Sequence, residues 1–197
     1  MSAALASLNA LPAGEAEARF LACCGSSAWA RRMAAARPFG SVEALAAAAD
    51  RTWQVLSKAD WLEAFAAHPK IGGSEEVAGT GPAGLHPPPN SIAGTGFNLH
   101  PPPNSDRSRA WSRQEQVGTE SASPETLANL ADANLEYEDR FGHIFIVCAS
   151  GRNAAEMLAA ARERLGNDPE TELAIAAEEQ RKITRLRLER LLAPTDR

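Results

Sequence analysis

DPETELAIAAEEQRKITRLRLERLL, residues 168–192, reads as one long helix, and its pattern sets the class of the fold. Asp168 offers an N-cap and Pro169 suits the first helical turn, where its missing N–H is no loss. Pro194 limits any extension, so the helix is expected to reach Leu192, about 24 residues or roughly 36 Å. Placed at 100° intervals, Leu173, Ala176, Gln180, Ile183, Thr184 and Leu191 fall within about 60° of Arg187, while Glu178, Arg181, Lys182, Arg185 and Glu189 lie opposite. Arg187 therefore points inward. A guanidinium there cannot shed its charge and needs an anion, either a protein carboxylate such as Glu115 or an acidic ligand.

Working back towards the N-terminus, the same punctuation recurs. Asn153 caps a helix expected to stop near Gly166, and Ser123, Pro124 and Glu125 open another running to about Arg140. Ser57 with Asp60 forms a capping box for a helix expected to end near His68, before Pro69. Ser41 precedes a run from Val42 to Leu56, and Pro12 precedes one to about Cys24. Only His143 to Ala149 breaks the helical pattern, as a β-branched apolar run that is either a short strand or an extended buried connector. With no second convincing strand to pair with it, the expectation is an all-α, single-domain multi-helix bundle over 1–197 with a short extended segment near 143–149.

Residues 78–105 differ in kind. LHPPPNS occurs at 85–91 and again at 99–105, and AGTG at 78–81 and 93–96, which indicates a duplicated unit. The block is rich in Pro and Gly and poor in large apolar residues, so a mobile loop insert with polyproline II character is expected. His86 and His100 inside it, and His143 outside it, lack the spacing and companion ligands of a zinc site, and no metal is expected.

Composition narrows the function. With 44% hydrophobic and 23% charged residues, the 197-residue chain can bury a sizeable core. A formal charge of −5 without a basic block argues against nucleic acid. No apolar run approaches the roughly 20 residues needed to span a bilayer, so no membrane partner is expected. Glu15 and Glu17 interrupt any signal-peptide pattern, and the ending Ala-Pro-Thr-Asp-Arg is no peroxisomal address. Cys23, Cys24 and Cys148 are odd in number and read as reduced thiols, which favours a cytoplasmic setting. Trp29, Trp53, Trp61 and Trp111 sit at helical positions as core or interface residues.

Four short strings remain to be explained: HPKIG at 68–72, SRQEQ at 112–116, FGHIFIVCA at 141–149 and LRL at 186–188. Read singly, each has an ordinary structural explanation. His68 suits a helix C-terminus, Ser112 with Glu115 matches an S-x-x-E capping box, and 145–149 is a buried extended run. In this order, in a helix-rich chain, they resemble the 2-oxo-4-hydroxy-4-carboxy-5-ureidoimidazoline (OHCU) decarboxylase family, from about Leu8 to Leu192 with the Pro/Gly block excepted.

That resemblance implies cofactor-independent decarboxylation of OHCU to (S)-allantoin in urate breakdown, downstream of urate oxidase and 5-hydroxyisourate hydrolase, by a homodimer. It further implies catalytic roles for His68, Glu115 and Arg187. Pro69, Ser112, Arg113, Gln114 and Gln116 would contact the substrate, together with the segment Phe145, Ile146, Val147, Cys148 and Ala149. Two other readings fit the same residues: a helical binding protein for a small heterocycle, and an interaction module whose PPPNS segments dock a proline-reading partner.

Overall fold

The computed structural model describes residues 2–71, 106–119 and 121–193, and within them nine α-helices and no strand pairing. In chain order these are α1 (Ala3–Ala10), α2 (Ala13–Cys24), α3 (Ser27–Ala35), α4 (Val42–Gln54), α5 (Lys58–Ala66), α6 (Asp106–Glu115), α7 (Pro124–Phe141), α8 (Ala154–Arg164) and α9 (Pro169–Leu192). The all-α expectation holds. The duplicated block 78–105, with His86 and His100, lies outside the described residues.

Local chemistry starts and stops these helices as anticipated. Ser41, Ser57, Ser123, Asn153 and Asp168 each accept a backbone N–H of the first turn, and Ser57–Asp60 closes a reciprocal capping box. Gly142 ends α7 at φ 72°, where a side chain would be strained. Several ends fall short of the expected positions: α4 stops at Gln54, α5 at Ala66 and α8 at Arg164, because capping turns take up the last residues.

Three helices, α1, α3 and α6, were not anticipated, and α6 overturns one reading. Ser112 and Glu115 do not cap a helix start; they lie in the last turn of α6, and the Gln116 N–H continues the helical pattern to the Ser112 carbonyl at 3.1 Å. The Ser112 hydroxyl instead meets Arg187. The SRQEQ string therefore presents side chains, not an open helix N-terminus.

α9 packs on α2, α4 and α5. Its buried face holds Leu173, Ala176, Ile183 and Leu188, with Gln180, Thr184 and Arg187 among them. Trp53 from α4 donates its indole N–H to the Ala177 carbonyl at 3.0 Å, and Trp29 donates to Ala49 at 3.1 Å, so these buried rings satisfy their one polar atom. On the outer face, Arg181 and Arg185 reach Asp50 on α4. No described helix is long and apolar enough to cross a membrane.

The segment from Ile144 to Ala149 is the extended buried connector, not a paired strand. Its side chains alternate between two cores. Ile144, Ile146 and Cys148 pack with the α2–α5 and α9 cluster, whereas Phe145, Val147 and Ala149 join a second cluster with Leu130, Tyr137 and Met157 from α7 and α8. Phe145, Ile146, Val147 and Ala149 of this divider line a cleft.

Candidate active site

His68 sits just beyond α5, where its N–H donates to the Phe65 carbonyl at 3.1 Å. The loop after it is tied down by Asn134, whose side-chain amide donates to the Ile71 carbonyl at 2.8 Å, and by a Lys70–Glu138 ion pair. Gly25 caps α2 at φ 84° against the end of α5; a Cβ there would lie 2.6 Å from the Ala67 Cβ. The close packing of two helix ends thus positions the imidazole.

The imidazole Nε2 is fully buried without a hydrogen-bond partner, although the residue as a whole keeps partial exposure. Burial, reinforced by the positive charge of Arg187 and partly offset by Gln180, pushes the His68 pKa down to about 3. His68 is therefore neutral at physiological pH. The Gln180 amide nitrogen donates to the Cys24 carbonyl and the Thr184 hydroxyl, both at 3.3 Å, while its oxygen is also buried without a partner.

Opposite lies a buried ionic cluster. Arg187, only 2% exposed, forks onto Glu115 through Nε to Oε1 at 3.0 Å and Nη2 to Oε2 at 2.8 Å. It also donates to the hydroxyls of Ser112 at 2.9 Å and Ser108 at 3.4 Å. Arg190 adds a third charged bond to Glu115 at 2.9 Å. Of the two partners open to the inward cation, the protein carboxylate is the one found.

Beside these groups is a narrow cleft that opens to solvent. It is lined by His68, Pro69, Ser112, Glu115 and Gln116 together with Phe145, Ile146, Val147 and Ala149. Arg187 stands behind Ser112 and Glu115 without lining the cleft. Arg113 and Gln114 are exposed and lie outside its walls, as does half-buried Cys148, whose thiol burial pushes up. Among the described residues no cluster of three His, Cys, Asp or Glu side chains could hold a metal.

Some contributors were not singled out from the sequence. Ile71 and Ile183 complete the apolar walls. Arg152 is half-buried, and its carbonyl crowds Gly118 so closely that a Cβ there would lie 2.0 Å away. His143 is packed among Phe65, Tyr137 and Phe141 with its Nδ1 3.0 Å from the Ile144 carbonyl, and serves the core.

Behind the extended wall is a second buried ion pair, Arg164 with Glu172. Arg164 Nε donates to Glu172 at 2.8 Å and Nη1 to the Ile146 carbonyl at 2.8 Å, while the guanidinium stacks 4.7 Å from the Phe145 ring. Tyr137 donates to Glu172, and Asn167 adds a bond at 2.7 Å; burial, then Glu172, pushes the Tyr137 pKa well up. The wheel used for α9 would have found Arg164, which lies about 20° from Met157 on α8.

Residues 9–83 and 94–189 match the OHCU decarboxylase family, and the unmatched 84–93 falls inside the duplicated block. The chain is 40% identical over 171 residues to the uric acid degradation bifunctional protein TTL of Arabidopsis thaliana, covering 87% of this chain and 45% of that protein. It is 37% identical over 93 residues to the 2-oxo-4-hydroxy-4-carboxy-5-ureidoimidazoline decarboxylase of Amia calva, covering 44% of this chain and 53% of that one. It thus spans about half the length of these curated relatives. A crystal structure of OHCU decarboxylase in the presence of (S)-allantoin superposes with a TM-score of 0.67 at 34% identity, over 89% of this chain and 97% of that one. With the family match covering most of its length, three of the four strings lining one cleft and Arg187 of the fourth bonded to two of its lining residues, the chain belongs to the OHCU decarboxylase family.

Proposed function

We propose that the chain decarboxylates OHCU to (S)-allantoin without a cofactor. The observation that carries this is the convergence of neutral His68, the Ser112–Glu115–Gln116 group and the extended wall on one cleft. The substrate carries a carboxylate on a carbon that also bears a hydroxyl and adjoins a ring C=N. When the C–CO2 bond breaks, its electron pair moves into that C=N, and carbon dioxide leaves. The charge this leaves on the ring nitrogen is taken up by a proton from solvent; a proton then adds to one face of the ring carbon that bears the ureido group, and loss of the hydroxyl proton leaves the carbonyl of allantoin. The substrate is its own electron sink, so the protein supplies positioning, charge stabilisation and one directed proton.

Each group has a role that suits its surroundings. His68, held neutral, accepts the hydroxyl proton and returns it to the ring carbon from its own side of the cleft. Glu115 is fixed by Arg187 and Arg190 and orients the polar end of the ligand together with Ser112 and Gln116. Arg187 acts through Glu115 and Ser112, balancing anionic charge from behind the wall. The extended backbone of 145–149, beside the cleft, offers N–H and C=O groups to the amide edge of the ring.

The test is to generate OHCU from urate in situ, add the protein and follow optical activity. Uncatalysed decay gives both hands of allantoin, so a lasting signal of one hand supports the reading. A racemic product at the uncatalysed rate would sink it. If (S)-allantoin bound without turnover, the chain would be a binding protein. A cytoplasmic homodimer, placed after urate oxidase and 5-hydroxyisourate hydrolase, completes the proposal. The free, buried Cys23 and Cys24 suit a reducing compartment, and sedimentation would test the dimer.

A further inference from the structure

We propose that Arg164 and Glu179 are positioning residues that hold the inner edge of the segment 144–149, so that its outer edge, with the N–H and C=O of Val147, faces the ligand. An extended chain sends the N–H and C=O of residues i and i+2 to one edge and those of i+1 and i+3 to the other. In a sheet a neighbouring strand would satisfy and align the first edge. Here two charged side chains do so. The Ile146 carbonyl accepts from Arg164 Nη1 at 2.8 Å, and the Cys148 N–H donates to Glu179 Oε2 at 2.7 Å. Ile146 and Cys148 are two apart and share an edge, and Phe145, Val147 and Ala149 carry the opposite one; the cleft is lined by Phe145, Ile146, Val147 and Ala149.

Both supports are themselves braced. Arg164 is fixed by Glu172 and stacks on Phe145, and Glu179, 7% exposed, also pairs with Lys182 at 2.6 Å. They come from separate helices, α8 and α9, so the segment is clamped from two directions. A charged bond is stronger than the neutral ladder bond it replaces, and it fixes the tilt of the segment without occupying its other edge. The ligand supplies the missing neighbour: an amide or urea edge donates to the Val147 carbonyl and accepts from its N–H, as an added strand would. The substrate class rests on the proposed function above; the bracing rests on the hydrogen bonds alone.

Glu179→Ala and Glu179→Gln separate positioning from general stability, because Gln keeps an oxygen for the Cys148 N–H and loses only the charge. Arg164→Lys is a second probe that retains one donor for Ile146. In Glu179→Ala we expect KM for OHCU and the dissociation constant for (S)-allantoin to rise at least tenfold with kcat within about threefold, and Glu179→Gln to recover most of the loss. Hydrogen exchange at the Cys148 amide should quicken in Glu179→Ala and not in Glu179→Gln, with or without ligand. Unchanged KM and allantoin affinity in Glu179→Ala would overturn the proposal, as would failure of Glu179→Gln to the same degree as Ala. If the wild-type protein neither binds allantoin nor turns over OHCU, the functional reading fails. The bracing is then judged by the exchange comparison, and equal Cys148 protection in wild type and Glu179→Ala overturns it.

Discussion

Glu115→Gln is the most informative single change, because it removes one charge and leaves shape almost intact. The native carboxylate receives two bonds from Arg187 and one from Arg190, at 2.8 to 3.0 Å. Gln can accept at one oxygen, but its amide group meets a guanidinium N–H donor to donor. Arg187, 2% exposed and always charged, is left with that one oxygen and the Ser112 and Ser108 hydroxyls. Breaking a buried pair from one side costs about 3–5 kcal/mol, so a loss of about 3 kcal/mol is expected after the retained bond is allowed for. A domain of this size should show a midpoint lowered by roughly 6–12 °C and still fold at 25 °C.

Urea unfolding followed by tryptophan fluorescence reads this directly, since Trp29 and Trp53 are core residues. The decisive comparison adds Arg187→Met. Once the buried cation is gone, Glu115→Gln should become cheaper by at least about 2 kcal/mol, the coupling expected of a direct ion pair. Additivity within about 0.5 kcal/mol, or a cost of Glu115→Gln below about 1 kcal/mol, would refute the claim that the carboxylate holds a confined guanidinium.

Further outcomes follow from the same coordinates. His68 has a folded pKa of about 3, below its unfolded value, so its contribution is complete above about pH 6.5 and is lost as pH falls through that value towards 3. The stability difference between wild type and His68→Asn should shift by up to about 3 kcal/mol between pH 7 and pH 4.5, and kcat should show no inflection near 6.5; such an inflection would contradict a buried, neutral imidazole. Gly118→Ala places a Cβ 2.0 Å from the Arg152 carbonyl, so a stability loss of about 1–3 kcal/mol and a raised KM through displaced Gln116 are expected, checked by melting and kinetics. Tyr137→Phe removes a hydroxyl from Glu172, whose bonds to Arg164 and Asn167 remain; a urea midpoint equivalent to about 1–2 kcal/mol should be lost, and none would mean the hydroxyl bond adds nothing.

The helices whose limits could be read were those with local signals. Serine, asparagine and aspartate caps, first-turn prolines and a three-to-four residue apolar spacing act within one or two turns, so α2, α4, α5, α7, α8 and α9 were legible. α1 is only eight residues long, and α6, DRSRAWSRQE, has almost no apolar stripe, so neither declares itself without its neighbours. α3 does carry a local signal, the Ser26 cap that accepts the Trp29 N–H. The S-x-x-E spacing misled because it occurs as readily in the last turn of a helix as before the first.

By itself the sequence determined that Arg187 turns inward and that the chain is helical, because periodicity and capping are properties of adjacent turns; the grouping of the four strings rested on their resemblance to the family. Tertiary structure alone decided that the carboxylate 72 residues away is the one Arg187 meets. It also decided that Asn134 and Gly25 set the place of His68, and that Arg164 and Glu179 do for one edge of an unpaired strand what a sheet would do. A buried charge or an extended backbone must be satisfied by something, and the sequence states that demand; which group answers it depends on how distant helices pack.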